Sequence, residues 1–455
     1  MAGIGFEIRK ILKQNTLLSV IQAYGYAGVI GSGPWLLSIV ALLVIGLLSL
    51  GRIAPQSLIV QFLITVTYMM CASLVVTGGL QLMLTRYISD LIYKKAYDRI
   101  VSNLLGAIFF VTLVSLGLCL IVWPFIPLDN ITKFLIMGGF VCLCNQWLTT
   151  IFLSGMKEYN QIILTMLIGY SCMVLAAIAL NSYSLNGLFL AFLIGEAVLL
   201  FTFLWLIVRR YPSAQLVCFD FLKRRNVHLS LLLCGLFYNL SAWIDKIIFW
   251  YDPVTSVSVL GPLRANPIYD LPIFLAYLSV IPGMAVFLVR IETDFVEQHR
   301  NFYSAVIQGA SLEQIQTVKQ AMVSSVKAGI YDIAKVQGIT VALIWVSGSA
   351  LLKFFHIDSS YSELLNIDVL GVGLQVVLLG IINVMYYLDK RFSVLAISAI
   401  FMVTNGLLTY LSLWLGPYYY GYGFSIAVLL TTAIALILLS RQFDKLEYRT
   451  FMFQK

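Results

Sequence analysis

The chain has 455 residues, of which 60% are hydrophobic and only 11% are charged, with a net charge of +8. A soluble domain carries about 25% charged residues, so soluble-enzyme and nucleic-acid-binding classes are excluded and a polytopic membrane protein is expected. The basic balance belongs to the loops at one membrane face.

The amino terminus, "MAGIGFEIRKILKQ", lacks an uninterrupted apolar core followed by a small-residue cleavage site, so no cleavable signal peptide is evident. It reads as an amphipathic helix on the cytoplasmic face, over residues 1–22. A spanning helix needs about 20 apolar residues. Such runs predict twelve transmembrane helices, near 27–50, 58–84, 101–125, 132–154, 161–181, 185–208, 229–251, 269–289, 337–355, 366–388, 392–414 and 420–440. Gly31, Gly33 and Pro34 in span 1, and Pro272 and Pro282 in span 8, are expected hinges.

With the amino terminus inside, 24 of the 29 Lys and Arg fall on the cytoplasmic side. Arg52, Lys133, Arg264 and Lys353 fall outside, and Lys246 falls within a span. That asymmetry predicts cytoplasmic amino and carboxyl termini.

Six spans precede a basic linker at 209–228 and six follow it, giving a first lobe over 1–208 and a second over 229–455. The end of span 2, "VTGGLQLMLTRYISDL", matches the end of span 8, "VIPGMAVFLVRIETDF", at Val76/Val280, Gly79/Gly283, Leu84/Leu288, Arg86/Arg290 and Asp90/Asp294. Arg and Asp four apart share a helix face and are expected to pair. The halves enter the membrane from the same side, as parallel repeats do. The second half carries roughly 32 extra residues after span 8, within a soluble segment predicted at 291–336. There Ser311 and Gln314 fit a capping box, followed by an amphipathic stripe of Ile315, Val318, Met322, Val326, Ile330 and Ile333. The stripe is expected either to pack on the protein's own cytoplasmic face, to lie on the membrane, or to dock a partner.

Nothing in the chain reads as an enzyme. There is no phosphate loop, no zinc-protease motif and no soluble segment long enough for a catalytic domain. The seven Cys lie mostly in spans, Cys142 and Cys144 lack zinc-site spacing, and His228, His299 and His356 are scattered, so no metal site and no cofactor is expected. Transport remains, and charges within spans mark candidate pathways. Glu196 sits mid-span 6, Asp245 and Lys246 lie side by side in the outer half of span 7, and Arg264 and Asp270 flank the entry to span 8. Adjacent helical residues point about 100° apart, so Asp245 and Lys246 are not expected to pair neatly with one another. At least one should face a cavity or a partner helix. Trp35, Tyr238 and Trp243 add aromatic faces of the kind that bind sugars.

The stretches "MAGIGFEIRKIL", "AYGYAGVIGSGPWLLSI", "AWIDKIIFW" and "YDLPIFLAYLSVIPGMAVFLVRIETDF" resemble the PelG family, over essentially the whole chain. The resemblance implies a fold like the polysaccharide transporters of the MOP superfamily, which includes MATE exporters and lipid-linked oligosaccharide flippases. It implies export of the Pel exopolysaccharide, a cationic amino-sugar polymer of the biofilm matrix, across the inner membrane. It also implies work alongside the glycosyltransferase PelF and the membrane proteins PelD and PelE. Alternatives from the residues are an ion-coupled flippase of lipid-linked sugars or drugs, with Glu196 and Asp245 as coupling acids, and a membrane scaffold that recruits a glycosyltransferase.

Overall fold

A computed structural model of the protein describes residues 10–11, 16–49, 55–156, 159–211, 213, 215–223, 226–354 and 358–452. Most of the expected amino-terminal helix, and Arg9, Lys13, Arg52, Lys157, Arg224, Arg225, His356 and Lys455, lie outside the described residues, as do the side chains of Gly33, Pro34 and Trp35.

The described chain is nearly all helical. In order, the helices are α1 (Leu17–Ser49), α2 (Ser57–Tyr93), α3 (Asp98–Val122), α4 (Asn130–Met156), α5 (Tyr159–Ala179), α6 (Ser184–Arg210) and α7 (Leu229–Trp250). After them come α8 (Pro267–Leu278), α9 (Val280–Val289), a π-helical turn (Arg290–Phe295), α10 (Val296–Ile307), α11 (Leu312–Phe354), α12 (Ser362–Tyr387), α13 (Arg391–Leu415), α14 (Tyr422–Asp444) and α15 (Leu446–Met452). Among the described residues eleven helical stretches are long and apolar enough to cross a membrane. The twelfth expected span falls on α1, which contributes the shorter apolar stretch Leu37–Ser49.

Three features depart from the expected elements. First, two antiparallel strands, β1 (Val257–Leu260) and β2 (Leu263–Ala265), join α7 to α8. The alternating "VSVLGPLRA", with Gly261 at φ +54 in its turn, carries a hairpin signal that the dominant helical reading overrides. Second, the segment 291–336 holds more than the one amphipathic helix expected in it. Span 8 continues through the π turn into α10, because 291–307 contains neither Gly nor Pro to stop it. Third, the amphipathic stretch and span 9 are one 43-residue helix, α11.

The stop between α10 and α11 is Gly309, at φ +70, with Ala310 N–H bonded back to the Ala305 carbonyl at 3.0 Å. Ser311 and Gln314 then cap α11 reciprocally, each backbone N–H reaching the other's side-chain oxygen at 3.3 Å. A side-chain carbon on Gly309 would meet nothing within 4 Å. Gly309→Ala therefore tests backbone strain alone, and it should cost about 1 kcal/mol in thermal unfolding. The stripe Ile315, Met322, Val326 and Ile333 is buried against the protein itself, so packing on its own surface is the role it plays.

Pro272 lies inside α8, and α8 breaks from α9 at Ser279. Pro282 has no N–H to give the Leu278 carbonyl, which is where the helix interrupts. α1 runs without a break past Gly31, Gly33 and Pro34.

The chain packs as two compact units. Unit 1 comprises Met1–Ser32, Ile244–Phe249 and Pro267–Lys455, and unit 2 comprises Gly33–Trp243 and Trp250–Asn266. The division falls inside α1 and inside α7. In unit 1, Gly28 and Gly31 let α1 approach α9, where a side-chain carbon on Gly31 would lie 3.1 Å from the Met284 carbonyl oxygen. In unit 2, α2 and α7 meet backbone to backbone. A carbon on Gly235 would lie 2.2 Å from the Gly78 carbonyl oxygen, and one on Gly79 would lie 2.8 Å from that of Leu232. The linker straps along α3, with Cys218 N–H donating to the Ser102 carbonyl at 2.9 Å.

Candidate functional site

The tail of α7 supplies Asp245 and Lys246 to unit 1, where both are buried. Contrary to the expectation from their 100° separation, they do pair. Lys246 Nζ donates to Asp245 Oδ2 at 3.0 Å and lies 3.3 Å from Oδ1. The four methylenes of the lysine let its ammonium curl back across the helix surface, and burial leaves it few other acceptors. Tyr269, on α8, donates its hydroxyl to Asp245 Oδ2 at 2.7 Å. Tyr277, two turns further along α8, places its hydroxyl 3.4 Å from Lys246 Nζ. The ammonium also faces the rings of Tyr277 and Phe424, at 4.9 and 5.6 Å from their centroids. Phe249 stacks on Tyr269 at 3.9 Å and meets Tyr420 edge-on at 4.8 Å, closing the apolar wall.

Asp368, on α12, is fully buried and within electrostatic reach of both Asp245 and Lys246. Neither of its carboxylate oxygens has a hydrogen-bond partner among the described residues. Its Oδ1 lies against Gly421, the residue that opens α14, where a side-chain carbon would come within 2.7 Å. The positive end of α14 favours that carboxylate. With all three groups ionised, Asp245, Lys246 and Asp368 carry one surplus negative charge. The cluster can therefore accept a proton or a cation, or meet a positively charged group of a passing substrate.

Unit 2 has its own buried acid. Glu196, on α6, is fully buried, and neither carboxylate oxygen has a partner among the described residues. Gln146 on α4 is also buried, and Tyr170 on α5 lies beside these two. Unsatisfied buried polar atoms in one layer of helices mark a place for ordered water or a small polar ligand.

The other expected site residues are placed apart from these clusters. Tyr238 and Trp243 lie in unit 2, where Trp243 approaches Trp250 at 6.2 Å and Trp250 stacks on Tyr68 at 4.3 Å. Arg264 commits its guanidinium to the hairpin, donating to Ser256 Oγ at 2.8 Å and to the Ser256 carbonyl at 3.1 Å. Its backbone N–H and carbonyl both bond the Tyr68 hydroxyl. Asp270 sits in the first turn of α8, where an acid complements the helix dipole. The repeated motif forms its ion pairs in both copies, Arg86–Asp90 at 3.3 Å and Arg290–Asp294 at 3.0 Å. Arg290 also reaches Asp332 of α11 at 2.7 Å. Glu292, in the π turn, accepts from Asn383 at 2.8 Å and Tyr387 at 2.7 Å, tying that turn to α12.

Sequence reasoning missed Asp368, Tyr269 and Tyr277. A lone carboxylate two residues inside a predicted span was a usable signal for Asp368. The two tyrosines, eight residues apart on one helix face, were hidden among the interfacial aromatics.

A family model described as "PelG: Putative exopolysaccharide Exporter (EPS-E)" matches residues 1–451. No curated protein matches the chain. Among solved structures, the chain is similar to a MATE-family multidrug transporter of the MOP superfamily in its outward-facing conformation (12% identity, 93% of this chain and 96% of that one, TM-score 0.65). It is also similar to the Vibrio cholerae MATE transporter VcmN in its bent form (13% identity, 97% and 98%, TM-score 0.63). A third is a MOP superfamily transporter from Pyrococcus furiosus (13% identity, 93% and 96%, TM-score 0.60). At these identities the likeness is one of fold.

Proposed function

Since this chain belongs to the PelG family, we propose that it exports the Pel exopolysaccharide, a cationic amino-sugar polymer, across the bacterial inner membrane. Family and fold make it a multi-pass membrane transporter. The substrate, the membrane and the cytoplasmic placing of both termini belong to this reading, and the distribution of Lys and Arg supports the last of them.

The observation that carries the reading is the Asp245–Lys246–Asp368 cluster. Charges inside spans are costly and are kept where they do something. A scaffold has no use for a buried carboxylate left without a donor, whereas a route for a cationic polymer does. Glu196 supplies a second acid station, in the other unit.

Asp368→Asn and Asp245→Asn should each lower secreted polymer at least about tenfold, the effect of losing roughly 1.4 kcal/mol of favourable interaction along the route. The check is secreted polymer per unit of membrane-inserted protein. Normal secretion by both variants would remove the cluster from the route.

The two orphan carboxylates, Asp368 and Glu196, favour one second reading, an ion-coupled flippase in which they exchange a proton or cation. Collapsing the ion gradient across vesicles would stop that reaction. It would leave a polymer pushed by its own synthesis unaffected. As a partner we propose the glycosyltransferase PelF, with PelD and PelE in the same assembly. The helical pair α10 and α11 offers its outward face to PelF, since its inner stripe is already buried. If the protein is only a scaffold, reconstitution with the glycosyltransferase and its sugar nucleotide will leave polymer on the side where it was made.

A further inference from the structure

Among the described residues, two cations at one end of unit 1 form no ion pair. Lys390 immediately precedes α13, delivered by a turn in which Asp389 has φ +53 and Lys390 N–H bonds the Met385 carbonyl at 2.9 Å. Arg449 comes from α15. The acids of this region are spent or out of reach. Asp389 grips Arg391 through two contacts, at 2.8 and 3.1 Å. Glu447 pairs with Lys319 at 3.2 Å. Among the described residues neither Lys390 nor Arg449 has a carboxylate within ion-pair distance.

Arg449 is nonetheless held in place. Its Nη1 donates to Gln442 Oε1 at 2.6 Å, and Gln442 Nε2 donates to Ser393 Oγ at 3.2 Å. This chain of hydrogen bonds fixes the guanidinium to the first turn of α13, beside Lys390. Lys390 is half-buried, and burial first, then the Arg449 charge, hold its ammonium below the usual lysine range. The residue that opens α13 is Lys390 itself, with no side-chain acceptor capping the helix. Cations are disfavoured at the positive end of a helix, where an acid or hydroxyl normally sits. Two positioned cations and a helix end of the same sign thus converge, and the one acid whose charge reaches Lys390, Asp389, is held by Arg391.

We propose that Lys390 and Arg449 bind a phosphate group, carried by a lipid headgroup or by a soluble phosphate, against the first turn of α13. The guanidinium supplies a planar two-pronged donor and the ammonium a point charge, the usual division of labour between Arg and Lys at phosphate. The inference does not depend on what the protein exports.

The test is thermal unfolding of the full-length purified protein in non-ionic detergent. It is titrated in separate arms with inorganic phosphate, with phosphatidylglycerol and, as the zwitterionic reference, with phosphatidylcholine. A ligand of the native state raises the melting temperature by about 2–4 °C at saturating concentration. A rise with phosphatidylglycerol beyond that with phosphatidylcholine, lost in the Lys390→Gln/Arg449→Gln double variant, supports a lipid source. A rise with inorganic phosphate, lost in the same variant, supports a soluble one. Arg209→Gln, a cation stacked on Trp205 in the other unit, should keep the full rise. Should the double variant fold poorly, Lys390→Arg/Arg449→Lys keeps both charges and should retain most of the rise. No rise with either phosphate source, or an undiminished rise in the double glutamine variant, overturns the proposal.

Discussion

Lys246→Ala should destabilise the protein by about 3–5 kcal/mol, because removing one partner of a buried ion pair strands the other charge. Asp245 is fully buried and, among the described residues, would keep only the Tyr269 hydroxyl at 2.7 Å. The lost ammonium would also uncover the rings of Tyr277 and Phe424. Replacing both members at once, Asp245→Leu with Lys246→Met, leaves no uncompensated charge and should recover most of that stability. Export should not recover in the double variant, since the cluster it removes is the one assigned to the route. Thermal unfolding of Asp245→Leu, Lys246→Met and the double variant gives the coupling energy directly. Coupling near zero would mean that the pair is hydrated and contributes little.

The second large effect lies where α2 crosses α7. Gly235→Leu forces a side chain into a space 2.2 Å from the Gly78 carbonyl oxygen, and that atom belongs to a helix backbone that cannot rotate away. Overpacking of this kind costs about 1–3 kcal/mol, and here the upper end is expected, with Gly235→Ala already clearly unfavourable. Gly117→Ala on α3 is the matched control. Nothing lies within 4 Å of a carbon added there, so it should be neutral or stabilise by up to about 1 kcal/mol. Melting temperatures of the three variants check the contrast, and equal effects at Gly235 and Gly117 would show that close approach is not what the glycine provides.

Much of the helical plan could be read from the sequence because a membrane demands long apolar runs and little else. The runs at 58–84, 101–125 and 392–414 lie within α2, α3 and α13 apart from their ends, because one strong physical signal determines them. Where that signal fell silent, the reading failed. Residues 291–336 are polar enough to suggest a soluble segment with a single amphipathic helix after Ser311, but helix continues wherever no residue stops it, and within that segment Gly309 does. The hairpin at Val257–Ala265 is too short to compete with helical patterns on both sides. At the site, Asp245, Lys246 and Glu196 stood out as charges in apolar runs. That Tyr269, Tyr277 and Asp368 are their partners was not legible, because these come from other helices, and contacts between helices leave no mark on spacing within one. The pairing of Asp245 with Lys246 was misjudged by treating side chains as fixed spokes, when lysine is long enough to fold back.

The division of the packing units inside α1 and α7, rather than in the linker, bears on how the protein can be dissected. The linker is the obvious place to cut the gene for co-expressed fragments. A cut there would leave Gly78 on one piece and Gly235 on the other, and Gly31 on one piece and Met284 on the other. Each fragment would then carry part of both units and the whole of neither. Such pieces are suited to complementing one another when made together, and unsuited to study as independent halves.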